Sequence, residues 1–133
     1  METKLGEMEG RFAELIWARA PIPSGELARL CEKELQWKRT TMYTMLKRLI
    51  ERGLFRNENG VVSVCVGREE FYAAQGAQVV ESGFGGSLPR FVAAFASGGR
   101  LRENEIAELR ALIDSYDAEQ ETAAGEETNT AGR

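Results

Sequence analysis

The densest chemistry in this chain lies within eleven positions, where Lys38, Arg39, Thr40, Thr41, Tyr43, Thr44, Lys47 and Arg48 stand with no carboxylate among them. Hydroxyls both donate and accept hydrogen bonds, whereas lysine and arginine only donate. This set suits phosphate oxygens and the base edges of a duplex. It does not suit acid–base or nucleophilic catalysis, because the chain contains no histidine and therefore no Ser–His or Cys–His pair. Cys31 and Cys65 lie far apart with no second pair, which excludes the usual zinc spacings. Both read as small buried hydrophobes. No metal, cofactor or enzymatic activity is expected.

The net charge of −4 opposes a polyanionic partner until its distribution is considered. Residues 117–133 hold five acids and one base, so this tail carries the whole excess and the preceding residues balance. Between Lys38 and Arg56 the bases Lys38, Arg39, Lys47, Arg48, Arg52 and Arg56 face only Glu51, a local charge of +5. The cationic region and the acidic region are separate stretches of chain.

Positioning those side chains requires a helix. From Lys38 to Arg52, Met42, Met45, Leu46 and Leu49 recur at helical spacing, and Gly53 follows where a helix commonly turns left-handed to stop. At 100° per residue these apolar positions cluster on one side, which puts the hydroxyls and cations on the other, with Glu51 one turn further on and Thr41 at the edge. Two helices precede it. Met8, Phe12, Leu15 and Ile16 mark one from Gly6 to Ala18; after the break at Ala20-Pro-Ile-Pro, Ser24 offers an N-cap to another with Leu27, Ala28, Leu30 and Cys31 inward, ending near Glu34.

The period then changes from helical to alternating. Leu54-Phe-Arg, the turn Asn57-Glu-Asn-Gly60 and the run Val61–Val66 predict a β-hairpin, with Arg56 at its start where it could meet a phosphate. Three helices followed by a hairpin is the order of a winged helix-turn-helix, whose third helix reads the major groove. The predicted fold is mainly α with a small β hairpin: a winged domain over 1–66, a helical dimerisation region over 67–116 and an acidic disordered tail over 117–133.

In the second half, Phe71, Tyr72, Val79 and Val80 suggest a helix from Arg68 to Ser82, weakened by Gly76. Phe84-Gly-Gly breaks it, and Ser87 then caps a short helix bearing Leu88, Phe91, Val92 and Phe95. A last helix, Arg102 to Tyr116, carries Ile106, Leu109, Leu112, Ile113 and Tyr116 on one stripe. So small a half-chain cannot bury these stripes by itself, so a second copy is the expected partner. Phe71, Phe84, Leu88, Phe91, Val92, Phe95, Ile106, Leu109, Leu112 and Ile113 are the expected dimer contacts. No apolar run approaches a membrane span, and Met1-Glu-Thr-Lys leads into an amphipathic pattern without an apolar signal core, which reads as cytoplasmic.

The segment Trp37-Lys-Arg-Thr-Thr-Met-Tyr-Thr-Met-Leu-Lys-Arg-Leu-Ile-Glu-Arg-Gly53 resembles the recognition-helix pattern W-x-x-T-T-hydrophobe-x-T-x-L-x-R-L-x-x-K/R-G of the penicillinase-repressor (BlaI/MecI/CopY-type) winged-helix regulators. Glu7 to Trp17, Arg68-Glu-Glu-Phe, Phe84-Gly-Gly-Ser-Leu and Val92 to Phe95 support the likeness, which spans about Leu5 to Tyr116. The resemblance implies a homodimeric transcriptional repressor on a palindromic DNA operator. It also implies a sensor protease that leads to cleavage at an Asn-Phe bond, but Ala94 stands where that Asn would be, before Phe95. The cysteine-rich copper motif of one branch has no counterpart in the tail, and the link after the hairpin, Cys65-Val-Gly-Arg68, is shorter than the family's and lacks its proline. Two other readings fit the residues: a winged-helix protein-interaction module meeting an acidic partner, and a regulator binding a small effector in a pocket between the two regions.

Overall fold

The computed structural model describes the backbone of residues 4–131 and side chains through residue 122. The described elements are α1 (Glu7–Arg19), β1 (Ile22–Pro23), α2 (Ser24–Leu35), α3 (Arg39–Glu51), β2 (Phe55–Glu58), β3 (Val61–Val64), α4 (Arg68–Phe84), α5 (Leu88–Ser97) and α6 (Glu103–Ala131). The fold is mainly helical with a small antiparallel sheet, and α1–α3 followed by the β2–β3 hairpin have the topology of a winged helix. Two compact units divide the chain, the first ending at Gly86 and the second starting at Ser87.

The hairpin forms as its turn chemistry dictates. Asn59 and Gly60 take φ of 53° and 78°, the paired positive values of a type I′ turn. Asn57 and Glu58 belong to β2, so the turn is tighter than the four-residue stretch read from sequence, and β3 stops at Val64. Register pairs Phe55 with Val64 and Asn57 with Val62. A third strand was not legible: within the Pro-rich break, Ile22 and Pro23 pair with Val62 and Val61, making β3 central. Two residues carry no period, and Pro23 at a sheet edge gives up no ladder bond its neighbours need.

Helix ends follow local rules with one exception. Gly53 has φ 81° and terminates α3, while Gln36 in left-handed geometry ends α2. Ser87 caps α5, its hydroxyl accepting from the Arg90 N–H at 3.2 Å. Ser24 is not the cap of α2: Pro23 occupies that position, and Ser24 is the first helical residue with its hydroxyl turned elsewhere.

The core of the first unit gathers Phe12 and Ile16 from α1, Leu27, Cys31 and Leu35 from α2, Met42, Leu46 and Leu49 from α3, and Leu54, Phe55 and Val62 from the hairpin. Met45 packs on this core half-buried, and Met8, expected inward, is exposed. Phe71 of α4 is wholly buried in the same core. Trp17 holds it there, its ring 5.7 Å from both Phe55 and Phe71 and its indole N–H donating to the Val66 carbonyl at 3.0 Å. On the surface beside it, the Arg68 guanidinium donates to Glu14 at 2.9 Å and lies over the Tyr72 ring, and the Tyr72 hydroxyl also donates to Glu14.

Two expectations change. Phe71 is a core residue and offers nothing to a partner, because it is fully buried in the first unit's core against the Trp17 ring; α4 therefore belongs with the winged domain instead of the helical region that follows. The acidic segment from 117 continues α6 as helix as far as Ala131, and 132–133 lie outside the described residues. Its Ala, Glu and Gln residues are strong helix formers, so the backbone holds its helix without an apolar stripe. Phe71→Ala is expected to lower unfolding free energy by about 3–5 kcal/mol. Denaturant unfolding should show that loss to be independent of protein concentration, which a dimer contact would not give.

Candidate nucleic-acid interface

α3 is built as an amphipathic wedge. Met42, Leu46 and Leu49 are fully buried or nearly so, which fixes the rotation of the helix about its axis. Lys38 at the N-cap and Arg39, Thr40, Thr41, Tyr43, Thr44, Lys47 and Arg48 are all exposed on the side that remains. The structure thus gathers every helix residue named from the sequence onto one solvent-facing surface. No acid stands in the first turn of α3. Glu51, in the last turn, is the sole carboxylate of the helix.

Local hydrogen bonds specify what some of these groups present. The Thr44 hydroxyl donates to the Thr40 carbonyl at 2.9 Å, so its outward offering is a methyl group and oxygen lone pairs. An Arg48 guanidinium nitrogen lies 3.8 Å from the Met45 sulfur, laying the stem of Arg48 along the helix. The Tyr43 hydroxyl donates to Ser24 Oγ at 3.1 Å.

Two cations of the basic window are engaged within the fold. Arg52, with its side chain only 17% exposed, pairs with Glu9 at 3.3 Å and donates to the Lys4 carbonyl, tying the end of α3 to the start of α1. It is a structural residue, although its charge counts toward the basic window between Lys38 and Arg56. Arg56 is exposed on the wing, where its Nε donates to Ser63 Oγ at 3.1 Å and lies 3.6 Å from Glu58. The wing therefore presents a partly neutralised cation.

In the second unit, no residue described between 87 and 122 is buried. Phe91, Val92, Phe95, Leu101, Leu109 and Leu112 line an apolar groove of about 350 Å³ between α5 and α6, with Glu105 and Glu108 at its rim. Leu88, Leu112, Ile113 and Tyr116 are each more than half exposed. Ile106 is half-buried, as is Phe84 at the end of α4 in the first unit. Ala94 and Phe95 lie exposed on α5. Among the described residues, no helix is long and apolar enough to cross a membrane.

A winged helix-turn-helix whose third helix exposes a hydroxyl-and-cation face defines the class of winged-helix regulators. The penicillinase repressor family profile matches residues 5–115. The chain belongs to that family of transcriptional repressors. The penicillinase repressor of Bacillus licheniformis is 24% identical over 117 residues, covering 85% of this chain and 91% of that protein.

The two thiols differ sharply in setting. Cys31 is buried in the core of the first unit, and burial pushes its thiol up to about 11. Cys65, expected to be buried, is exposed, because it follows β3 where the chain leaves the hairpin. Since the thiolate is the reactive species, iodoacetamide at pH 8 should modify Cys65 alone in the folded protein. Mass spectrometry should find Cys31 modified only after unfolding.

Proposed function

We propose that this protein represses transcription by binding a palindromic DNA operator as a homodimer, with α3 of each subunit in the major groove. One observation carries the reading: the exposed face of α3 consists of Thr40, Thr41, Thr44, Lys47 and Arg48, with Lys38 and Arg39 at its start and Glu51, one turn beyond Lys47, as its single acid. The N-terminal hydroxyls and methyls suit base edges, and Arg48 suits the O6 and N7 acceptors of guanine. Lys38, Arg39 and Lys47 suit the flanking phosphates, and Arg56 supplies a weaker contact from the wing because Glu58 shares it. Membership in the penicillinase repressor family supports the same conclusion.

The second unit supports the dimer. Helices whose apolar side chains are all at least partly exposed need another layer to cover them. A second copy would do so by two-fold symmetry, through Leu88, Phe91, Val92, Phe95, Leu109, Leu112 and Ile113, placing two reading helices on one operator. A DNA-binding repressor of this kind works in the cytoplasm.

Two experiments test this. Arg48→Ala should cost about 1–3 kcal/mol on a duplex selected by the unmodified protein, and Lys47→Ala should lower the slope of log affinity against log salt by about 1. Unchanged binding in both variants excludes α3 as the reading helix. Replacing both Leu112 and Ile113 with Glu should convert the dimer to a monomer in sedimentation equilibrium and weaken operator binding; a variant that stays dimeric places the interface elsewhere.

A further inference from the structure

Ser24 bonds to two elements that lie far from it in sequence. Its backbone N–H donates to the Gly60 carbonyl at 2.8 Å, in the tight turn of the wing. Its hydroxyl accepts from the Tyr43 phenol at 3.1 Å, on the exposed face of α3. The residue is well held for this role: Ile22 and Pro23 pair with β3 immediately before it, and Leu27, one turn later, is fully buried. Because α2 makes no side-chain capping bond, the Ser24 hydroxyl is not consumed by its own helix.

We infer that the Ser24–Tyr43 junction sets the spacing between the wing turn and α3, and that Tyr43 is a positioning residue acting through Ser24, not a reader of bases. The inference rests on the DNA-binding role proposed above. The Tyr43 hydroxyl is engaged with Ser24 at the start of α2, while Thr44, its neighbour on the helix, carries the outward methyl and lone pairs. Recognition side chains must be held to within about 0.5 Å of their productive positions. The buried stripe of α3 fixes its rotation, but apolar burial is non-directional, so sub-ångström placement along the axis gains from a directional restraint. A directional hydrogen bond from the exposed face to the start of α2 supplies that restraint, and the Gly60 bond refers it to the wing.

The test uses the full chain and a duplex selected by the unmodified protein from a random-sequence library, with affinity measured at fixed salt. Tyr43→Phe and Ser24→Ala should each weaken binding about fivefold, the scale of one lost hydrogen bond. The double variant should also be about fivefold weaker, where independent residues would multiply to about 25-fold. Ser24→Thr, which keeps the hydroxyl, should restore affinity. Binding to a scrambled duplex should be unchanged in every variant, because phosphate contacts do not require a fixed register.

Multiplicative effects overturn the inference. So does a loss in Tyr43→Phe with none in Ser24→Ala, which would place the phenol on the DNA. A parallel loss on the scrambled duplex would reduce the junction to a general stabilising contact and overturn it too. If the unmodified protein selects no duplex, the DNA-binding role itself fails and the junction's role with it.

Discussion

Burial of Met42, Leu46 and Leu49 in the core shared by α1, α2 and the hairpin sets the orientation of α3. A helix has only one rotation that puts these three positions inside, so the opposite side chains have no choice of direction. The exposure of Thr40, Thr44, Lys47 and Arg48 follows from this apolar constraint without any polar interaction being needed. Other parts of the first unit serve the same constraint. Arg52 ties the end of α3 to Glu9 and the Lys4 carbonyl, and Gly53 turns the chain into the hairpin whose Phe55 closes the core.

Charge is organised around that frame. The first unit uses several of its cations for internal attachment: Arg52 with Glu9, Arg68 with Glu14, and Arg56 with Glu58. Those on α3 stand among hydroxyls, with Glu51, one turn beyond Lys47, the single acid of the helix. The chain's overall acidity resides in the sequence from 117 on, where α6 continues as helix without any large apolar residue. Net charge is therefore a poor guide to this molecule, since opposite functions occupy separate stretches of chain.

The two units differ in completeness. The first closes a core from elements of every kind, with Trp17 joining α1, the hairpin and α4 through ring contacts and one hydrogen bond. The second has two amphipathic helices and no buried residue among those described. An apolar groove of about 350 Å³ between α5 and α6 is what remains when such helices have no further layer above them. Closing the core of the first unit and covering the apolar side chains of the second are thus separable physical problems.

The periodic helices α1–α3, the Asn-Gly hairpin turn, the Gly53 stop and the Ser87 cap were legible in the sequence, because each depends on spacing or local backbone chemistry within a few residues. The exposed hydroxyl-and-cation face of α3 was legible for the same reason. Interactions between distant positions were not. Phe71 resembled its apolar neighbours in the C-terminal half until Trp17 packed on it in the core, and Arg52 counted only as one more charge of the basic window until Glu9 reached it. β1 was too short to carry a period, Ser24 found Tyr43 instead of its own helix, and the acidic end of α6 kept its helix on propensity alone. Sequence by itself determined which faces are apolar and where the chain turns, since those follow from residue type and period; tertiary structure alone decided which equivalent-looking side chains are enclosed or paired, because that depends on contacts between residues distant along the chain.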